Sequence, residues 1–178
     1  MFEFHRNDKL DDYQYVLFSC HGVLPDEVGP IVQPALVLSI PDPDQGYAGF
    51  LTMKDVFGIR FDADMITLSA CNTGRVSNII QGENMGGLTK SFMLAGTDTV
   101  SVTLWSVADR STMELTTGLH ENLKEEGMTR AEALRNVKCN MIEGELVGKV
   151  KCEEDEDCEI NYHHPFFWAP MIIFGEGR

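Results

Sequence analysis

Two apolar runs, each leading into a reactive side chain, place the strongest constraint on the fold of this chain. Residues 15–20 lead into His21 and Gly22, and residues 65–70 lead into Cys71. Both runs lack strict alternation of apolar and polar residues, which is typical of strands buried on both faces in a parallel sheet. The carboxyl ends of parallel strands lie at one edge of the sheet, where ligands bind. The two runs therefore predict that His21 and Cys71 face one crevice.

Strands and helices alternate along the rest of the chain. Apolar runs predict strands at 35–40, 99–104 and 171–174, and a helical apolar period predicts a helix near 86–95. Three more helices are predicted to begin at a Ser or Thr that is followed three residues later by an acidic residue. These pairs are Thr52 with Asp55, Ser111 with Glu114, and Thr129 with Glu132. The alternation predicts an α/β fold in which a mostly parallel sheet is sandwiched between helices, with residues 1–178 forming a single domain.

The length, the hydropathy and the cysteine content of the chain indicate the cellular compartment. A chain of 178 residues is long enough to bury the core of one domain. No apolar stretch approaches the length of a membrane span, and the first residues lack the pattern of a secretory signal. Five cysteines without a regular spacing indicate free thiols in a reducing compartment. We therefore expect a cytoplasmic protein.

One short segment carries a large share of the net charge of −14. Eight acidic residues and two lysines lie between Glu143 and Glu159, so this stretch alone carries a net charge of −6. We expect residues 143–164 to form a solvated, mobile acidic insertion before the last strand. An anionic surface repels phosphate groups and anionic lipids, so direct binding to nucleic acid or to a membrane is not expected. A protein or peptide partner is compatible with this charge.

The residue types at the two strand ends fit nucleophilic catalysis. A cysteine thiolate attacks a carbonyl carbon, and histidine is the side chain best suited to donate a proton to the leaving amine near neutral pH. Gly22 lets a substrate backbone approach closely, because it has no Cβ. The backbone N–H groups of Gly22 and Cys71 are the expected donors to an oxyanion. The alternative interpretation is that Cys71 is one more small buried residue of the core.

The order and the spacing of the pair support the catalytic interpretation. His21 precedes Cys71 by 50 residues, as in the caspase-type arrangement. Residues 68–74 (Leu-Ser-Ala-Cys-Asn-Thr-Gly) resemble the nucleophile motif of CHAT domains, which are caspase-like peptidases often attached to tetratricopeptide repeats. Residues 19–22 (Ser-Cys-His-Gly) resemble the histidine motif of that family, usually written with Ala-Thr before His-Gly. Three further segments resemble the family in order, at 82–96, 104–109 and 164–170.

The resemblance covers nearly the whole chain, from about residue 15 to residue 175. It implies a cysteine endopeptidase that cleaves a protein substrate with Cys71 as the nucleophile and His21 as the acid and base, without a cofactor. It also implies regulation by a separate module or partner protein, such as a repeat domain, and a role in bacterial antiviral defence. A catalytically silent CHAT-like interaction module is the main alternative. A cysteine-dependent acyltransferase or other hydrolase on a related sheet is a third.

Asp109 is the candidate for substrate recognition. By resemblance to caspase-like peptidases, the chain after the predicted strand 99–104 borders the pocket for the residue before the cut bond. An acid there would select Arg or Lys through charge-assisted hydrogen bonds. The rival interpretation makes Asp109 or Ser111 the N-cap of the following helix.

Three smaller predictions concern the remaining cysteines and aromatic residues. Cys20 is expected in the core. No zinc site is expected at Cys152 and Cys158, because a second matching pair of ligands is lacking. The residues after the predicted turn at 163–165 are also expected in the core, namely Phe166, Phe167 and Trp168.

Overall fold

A computed structural model describes residues 9–25, 31–38, 49–69, 81–105, 109–144, 147–151 and 157–177. In chain order the strands are β1 Tyr15–Ser19, β2 His21–Val23, β3 Ala35–Val37, β4 Phe50–Thr52, β5 Met65–Ser69, β6 Thr99–Thr103, β7 Val147–Lys151, β8 Asp157–Asn161 and β9 Met171–Gly175. The α-helices are α1 Met53–Phe57, α2 Gln81–Leu94, α3 Asp109–Asn122, α4 Arg130–Glu143 and α5 Pro165–Trp168. A short 3-10 helix spans Lys9–Asp12.

The main sheet has the strand order β1-β5-β6-β9. β1 is parallel to β5, and β5 is parallel to β6. All five residues of β6 and the first four of β5 are buried. Burial on both faces explains why these two segments show no alternation of apolar and polar residues. The predicted α/β fold with a mostly parallel sheet is therefore confirmed.

The chain divides into two compact units. The first contains Met1–Ser106 and Ile173–Glu176, and the second contains Val107–Ile172 and Gly177–Arg178. In the first unit α2 lies against β6, and Phe92 of this helix makes ring contacts with Phe18 of β1 and with Phe61. These three rings belong to the buried core of the first unit.

A second sheet departs from the expected pattern. The strand predicted at 35–40 is β3, which lies outside the parallel sheet, in a three-stranded antiparallel sheet of order β2-β3-β4. Each of these strands has three residues, which is too few to give a clear periodicity. The chain leaves the main sheet at Cys20, the one residue between β1 and β2.

Two of the three predicted helix starts are confirmed. Thr52 caps α1 and Thr129 caps α4, each in a complete capping box with an acidic residue at the third helical position. The start predicted at Ser111 is wrong, because α3 already includes Asp109 and Ser111 is buried within its first turn. The helix predicted near 86–95 begins earlier, at Gln81.

The capping box of α4 predicts a pH-dependent contribution to stability. The backbone and side chain of Thr129 donate hydrogen bonds to Glu132, and these bonds lower the pKa of its carboxyl group. A carboxyl group whose pKa is lower in the folded than in the unfolded chain stabilises the fold at pH values above the pKa of the unfolded chain. This contribution is lost as the pH falls through the pKa of the folded state. We expect Glu132→Gln to lower the free energy of unfolding at about pH 7 and to have little effect at about pH 3. Urea unfolding at both pH values checks this, and an equal effect at both would contradict it.

The second unit contains a hairpin where an acidic insertion was predicted. Within 143–164, β7 and β8 form a two-stranded antiparallel sheet. The register sets Lys149 opposite Glu159 and Lys151 opposite Asp157, so positions of opposite charge pair across the strands. The sequence alone did not predict this pairing, because the many acidic residues hide the strand-like alternation of Lys149 and Lys151. That the segment is solvated and mobile stays a prediction.

The residues after the hairpin tie it to the helices of the second unit. The His163 N–H donates to Asn161 Oδ1, and its ring bonds to the carbonyl oxygen of Ile142 near the end of α4. The ring of His164 caps α5 by accepting from the Phe166 N–H. None of the residues of α5 is buried, and Phe166 is 45% exposed. The predicted core role of this aromatic segment is therefore wrong.

Candidate active site

His21 lies where the chain passes from β1 of the main sheet to β2 of the antiparallel sheet. It is the first residue of β2, and its side chain is exposed. It pairs with Val37 of β3, and Gly22 pairs with Leu36. Sequence reasoning placed His21 at the end of a strand but missed this antiparallel partner. The pairing fixes the backbone of His21 and Gly22 just beyond the end of β1.

Residues that pair between β1 and β5 are separated by the same number of positions as His21 and Cys71. We call this number the offset of the register. Each of the five pairs joins residues that are 50 positions apart, from Tyr15 with Met65 to Ser19 with Ser69. His21 follows Ser19 by two residues, and Cys71 follows Ser69 by two residues. Cys71 lies in 70–80, outside the described residues. β1 and β5 end side by side at one edge of the sheet, as expected for parallel neighbours.

The end of β6 lies beside the end of β5, on the side opposite β1. β5 lies between β1 and β6 in the main sheet. Leu104 and Trp105 follow β6 and are half-buried. Asp109 is the first residue of α3, in the second unit. The assignment of Asp109 to substrate recognition stays a prediction.

Cys20 is a half-exposed thiol beside His21. It lies at the bend between β1 and β2, where the extended conformation is interrupted, and it does not belong to the buried core. Partial burial raises the pKa of the Cys20 thiol. A raised pKa favours the neutral thiol, and the thiolate is the reactive form. Cys20 is therefore poorly suited to act as a nucleophile near neutral pH.

The described part of the chain was also compared with the requirements for a metal site and for a membrane span, and it meets neither. No group of three or more His, Cys, Asp or Glu side chains in these ranges is arranged to hold a metal ion. None of the helices in the same ranges combines the length and the hydropathy that a bilayer span requires.

The fold defines an α/β domain with a mostly parallel sheet, and comparison with known families shows which family it belongs to. The model of the CHAT domain family matches residues 3–176. The chain therefore belongs to the CHAT domain family, as the motifs at 19–22 and 68–74 indicate. No curated protein matches the chain.

Proposed function

We propose that this protein is a cysteine endopeptidase that cleaves a protein substrate with Cys71 and His21. The observation that carries the proposal is the register of β1 and β5, which pairs Ser19 with Ser69. Neighbouring strands lie about 4.8 Å apart. Cys71 follows Ser69 by two residues, and two residues of chain span at most about 7 Å. The offset of 50, which is the same in the strand register and between His21 and Cys71, therefore supports a catalytic pair at adjacent strand ends.

The proposed reaction follows from the chemistry of these two side chains. The Cys71 thiolate attacks the carbonyl carbon of the substrate, and the carbonyl oxygen becomes an oxyanion that accepts from the N–H groups of Gly22 and Cys71. His21 donates a proton to the leaving amine as the C–N bond breaks, which leaves a thioester on Cys71. His21 then removes a proton from water, and the hydroxide attacks the thioester and releases the acid product and the thiolate. No cofactor takes part in these steps.

We further propose that the domain is the effector part of a larger regulated system in the cytoplasm. Membership of the CHAT family supports this, because such domains often accompany tetratricopeptide repeats. A repeat-containing module or partner protein would then control access of the substrate to Cys71. A role in bacterial antiviral defence is the setting that the resemblance favours.

Exposure to a library of peptides tests the proposed activity without knowledge of the natural substrate. Purified protein is incubated with the library, and mass spectrometry identifies new peptide ends. We expect cleavage at a restricted set of sites, and we expect prior alkylation with iodoacetamide to abolish it. A clean, folded protein that binds peptides but produces no new ends would instead favour the catalytically silent interaction module.

Substrate preference tests the assignment of Asp109. A carboxylate that pairs with a desolvated Arg or Lys side chain contributes strongly to selectivity, because its loss leaves the cation unpaired. We expect Asp109→Asn to lower kcat/KM by about 10²-fold for peptides with Arg or Lys before the cut, and to affect apolar peptides little. Asp62→Asn, at an exposed position of the first unit, is the matched control. An equal loss for all peptides would contradict a specificity role.

A further inference from the structure

Two neighbouring glycines lie in the interior of α2, where glycine is unfavourable. Gly86 and Gly87 are the sixth and seventh residues of this helix of 14 residues. Glycine stabilises a helix less than alanine does, because it has more conformational freedom to lose when the chain folds. A glycine inside a helix therefore commonly has a packing role or a functional role.

The structure shows a packing role for Gly87 and none for Gly86. A Cβ added to Gly87 would lie 3.0 Å from the Sδ of Met53, so the close approach of α1 to α2 favours glycine there. In the part of the chain that the structure describes, only chain neighbours and the backbone of its own helix lie within 4 Å of a Cβ added to Gly86. Gly86 is half-buried, and the space beside its Cα is open. Alanine would fit at Gly86, so its absence requires another explanation.

The direction of α2 places Gly86 in the half of the helix nearer the candidate active site. α2 connects the parallel strands β5 and β6, so it runs back across the main sheet from the carboxyl ends of the strands. The Phe61 N–H donates to Ala95 O at 2.8 Å, and Phe61 precedes the first residue of β5 by four positions. The C-terminal end of α2 therefore lies where β5 begins. Its N-terminal half lies towards the edge where β1 and β5 end.

A second contact places Gly86 beside the sheet that holds His21. Met53, which contacts the position of a Cβ on Gly87, is the first residue of α1 and directly follows β4. β4 pairs with β3, and β3 pairs with β2, whose first residue is His21. Two strand spacings separate β4 from β2, about 10 Å, which about three residues of an extended peptide span.

We propose that the main chain of the peptide substrate passes over α2 at Gly86, where the absence of a Cβ leaves room for it. This inference rests on the proposed peptidase function and assigns Gly86 to substrate binding. Glycine allows the closest approach of one main chain to another. A peptide that lies against His21 reaches Gly86 with residues distant from the cut bond. Contacts there raise affinity without taking part in the chemistry, so they affect KM more than kcat.

The proposal predicts that Gly86→Ala stabilises the protein and weakens substrate binding. Alanine is the better helix former and has room at this position, so we expect a higher midpoint of urea unfolding. The added methyl group occupies space that the peptide needs, so we expect KM to rise by about fivefold or more with little change in kcat. Gly86→Leu fills more of this space and should raise KM further.

Thr117→Ala is the matched control for this substitution. Thr117 is an exposed residue of α3, in the second unit, and alanine raises the helix propensity there as well. We expect a higher midpoint of urea unfolding for this variant too, with an unchanged KM. A rise in KM that Thr117→Ala shares would show that helix stability, and not contact with the peptide, affects binding, and would overturn the proposal.

Binding to an inactive variant separates this inference from the proposed peptidase activity. The peptide library is passed over immobilised Cys71→Ala protein, and dissociation constants of the retained peptides are measured with and without Gly86→Ala. Weaker binding with Gly86→Ala supports the inference even where the wild-type chain cleaves none of these peptides. Dissociation constants that Gly86→Ala and Gly86→Leu leave unchanged would overturn it, and cleavage by the wild-type chain would then still stand. A library from which no peptide is retained, or a lower urea midpoint for Gly86→Ala, would also overturn it.

Discussion

We expect Cys71→Ala and His21→Ala each to lower the rate of peptide cleavage by about 10³-fold or more. Under the proposed mechanism, no thioester would form without the thiol, and the leaving amine would have no proton donor without the imidazole. The two residues act as one unit, so the double variant should lose hardly more activity than either single variant. Rates of cleavage of the best library peptide, measured for the three variants, check this prediction.

The controls separate lost chemistry from lost structure. His21 is exposed and Cys71 follows a strand end, so neither substitution should change the free energy of unfolding by much. Cys139→Ala removes another free, half-buried thiol, on α4, and should retain wild-type turnover. Near-wild-type cleavage by a clean preparation of Cys71→Ala or His21→Ala would rule out the assignment of that residue.

Gly96→Ala should destabilise the fold strongly. Gly96 has φ +112°, a conformation that residues with a Cβ rarely adopt, and an added Cβ would clash with the carbonyl oxygen of Phe61. The clash cannot relax easily, because the Phe61 N–H donates to Ala95 O at 2.8 Å and the Phe61 ring contacts Phe92 in the core. We expect the free energy of unfolding to fall by about 3 kcal/mol or more, since backbone strain and a steric clash combine.

Gly127→Ala is the matched control for this stability prediction. Gly127 also has a positive φ, of +77°, but no atom lies within 4 Å of the position of an added Cβ. Its substitution should cost only the conformational term, about 1 kcal/mol. Urea unfolding of both variants measures the difference. If Gly96→Ala proves no more destabilising than Gly127→Ala, the close packing of Gly96 on Phe61 is not important for stability.

The sequence was sufficient for the features that depend on local chemistry. The strands at 15–19 and 65–69 are confirmed, because both runs are rich in residues that favour strands. The predicted burial on both faces is confirmed only for 65–69, since Phe18 is the one buried residue of β1. The helix starts at Thr52 and Thr129 are confirmed because a capping box satisfies the free N–H groups of the first turn within four residues. The spacing of His21 and Cys71 could also be read directly, and it equals the register offset of the two strands that precede them.

The features that depend on pairing between distant segments could not be predicted. β2, β3 and β4 are too short to show a period, so their separate antiparallel sheet follows only from tertiary contacts. The hairpin of β7 and β8 was hidden by the acidic composition of its segment, although Lys149 and Lys151 alternate as in a strand. Ser111 has the sequence pattern of a helix start, but α3 begins before it, so the local pattern alone misplaced that end.

The pH dependence of alkylation at Cys71 tests the central claim most directly. Iodoacetamide reacts with thiolates, so its rate at each cysteine, resolved by peptide mass spectrometry, reports how readily that thiol ionises. We predict that Cys71 reacts at a lower pH and much faster than Cys139, and that His21→Gln removes this advantage. An ordinary thiol profile at Cys71, equal to that of Cys139 and unchanged by His21→Gln, would contradict a catalytic Cys71–His21 pair.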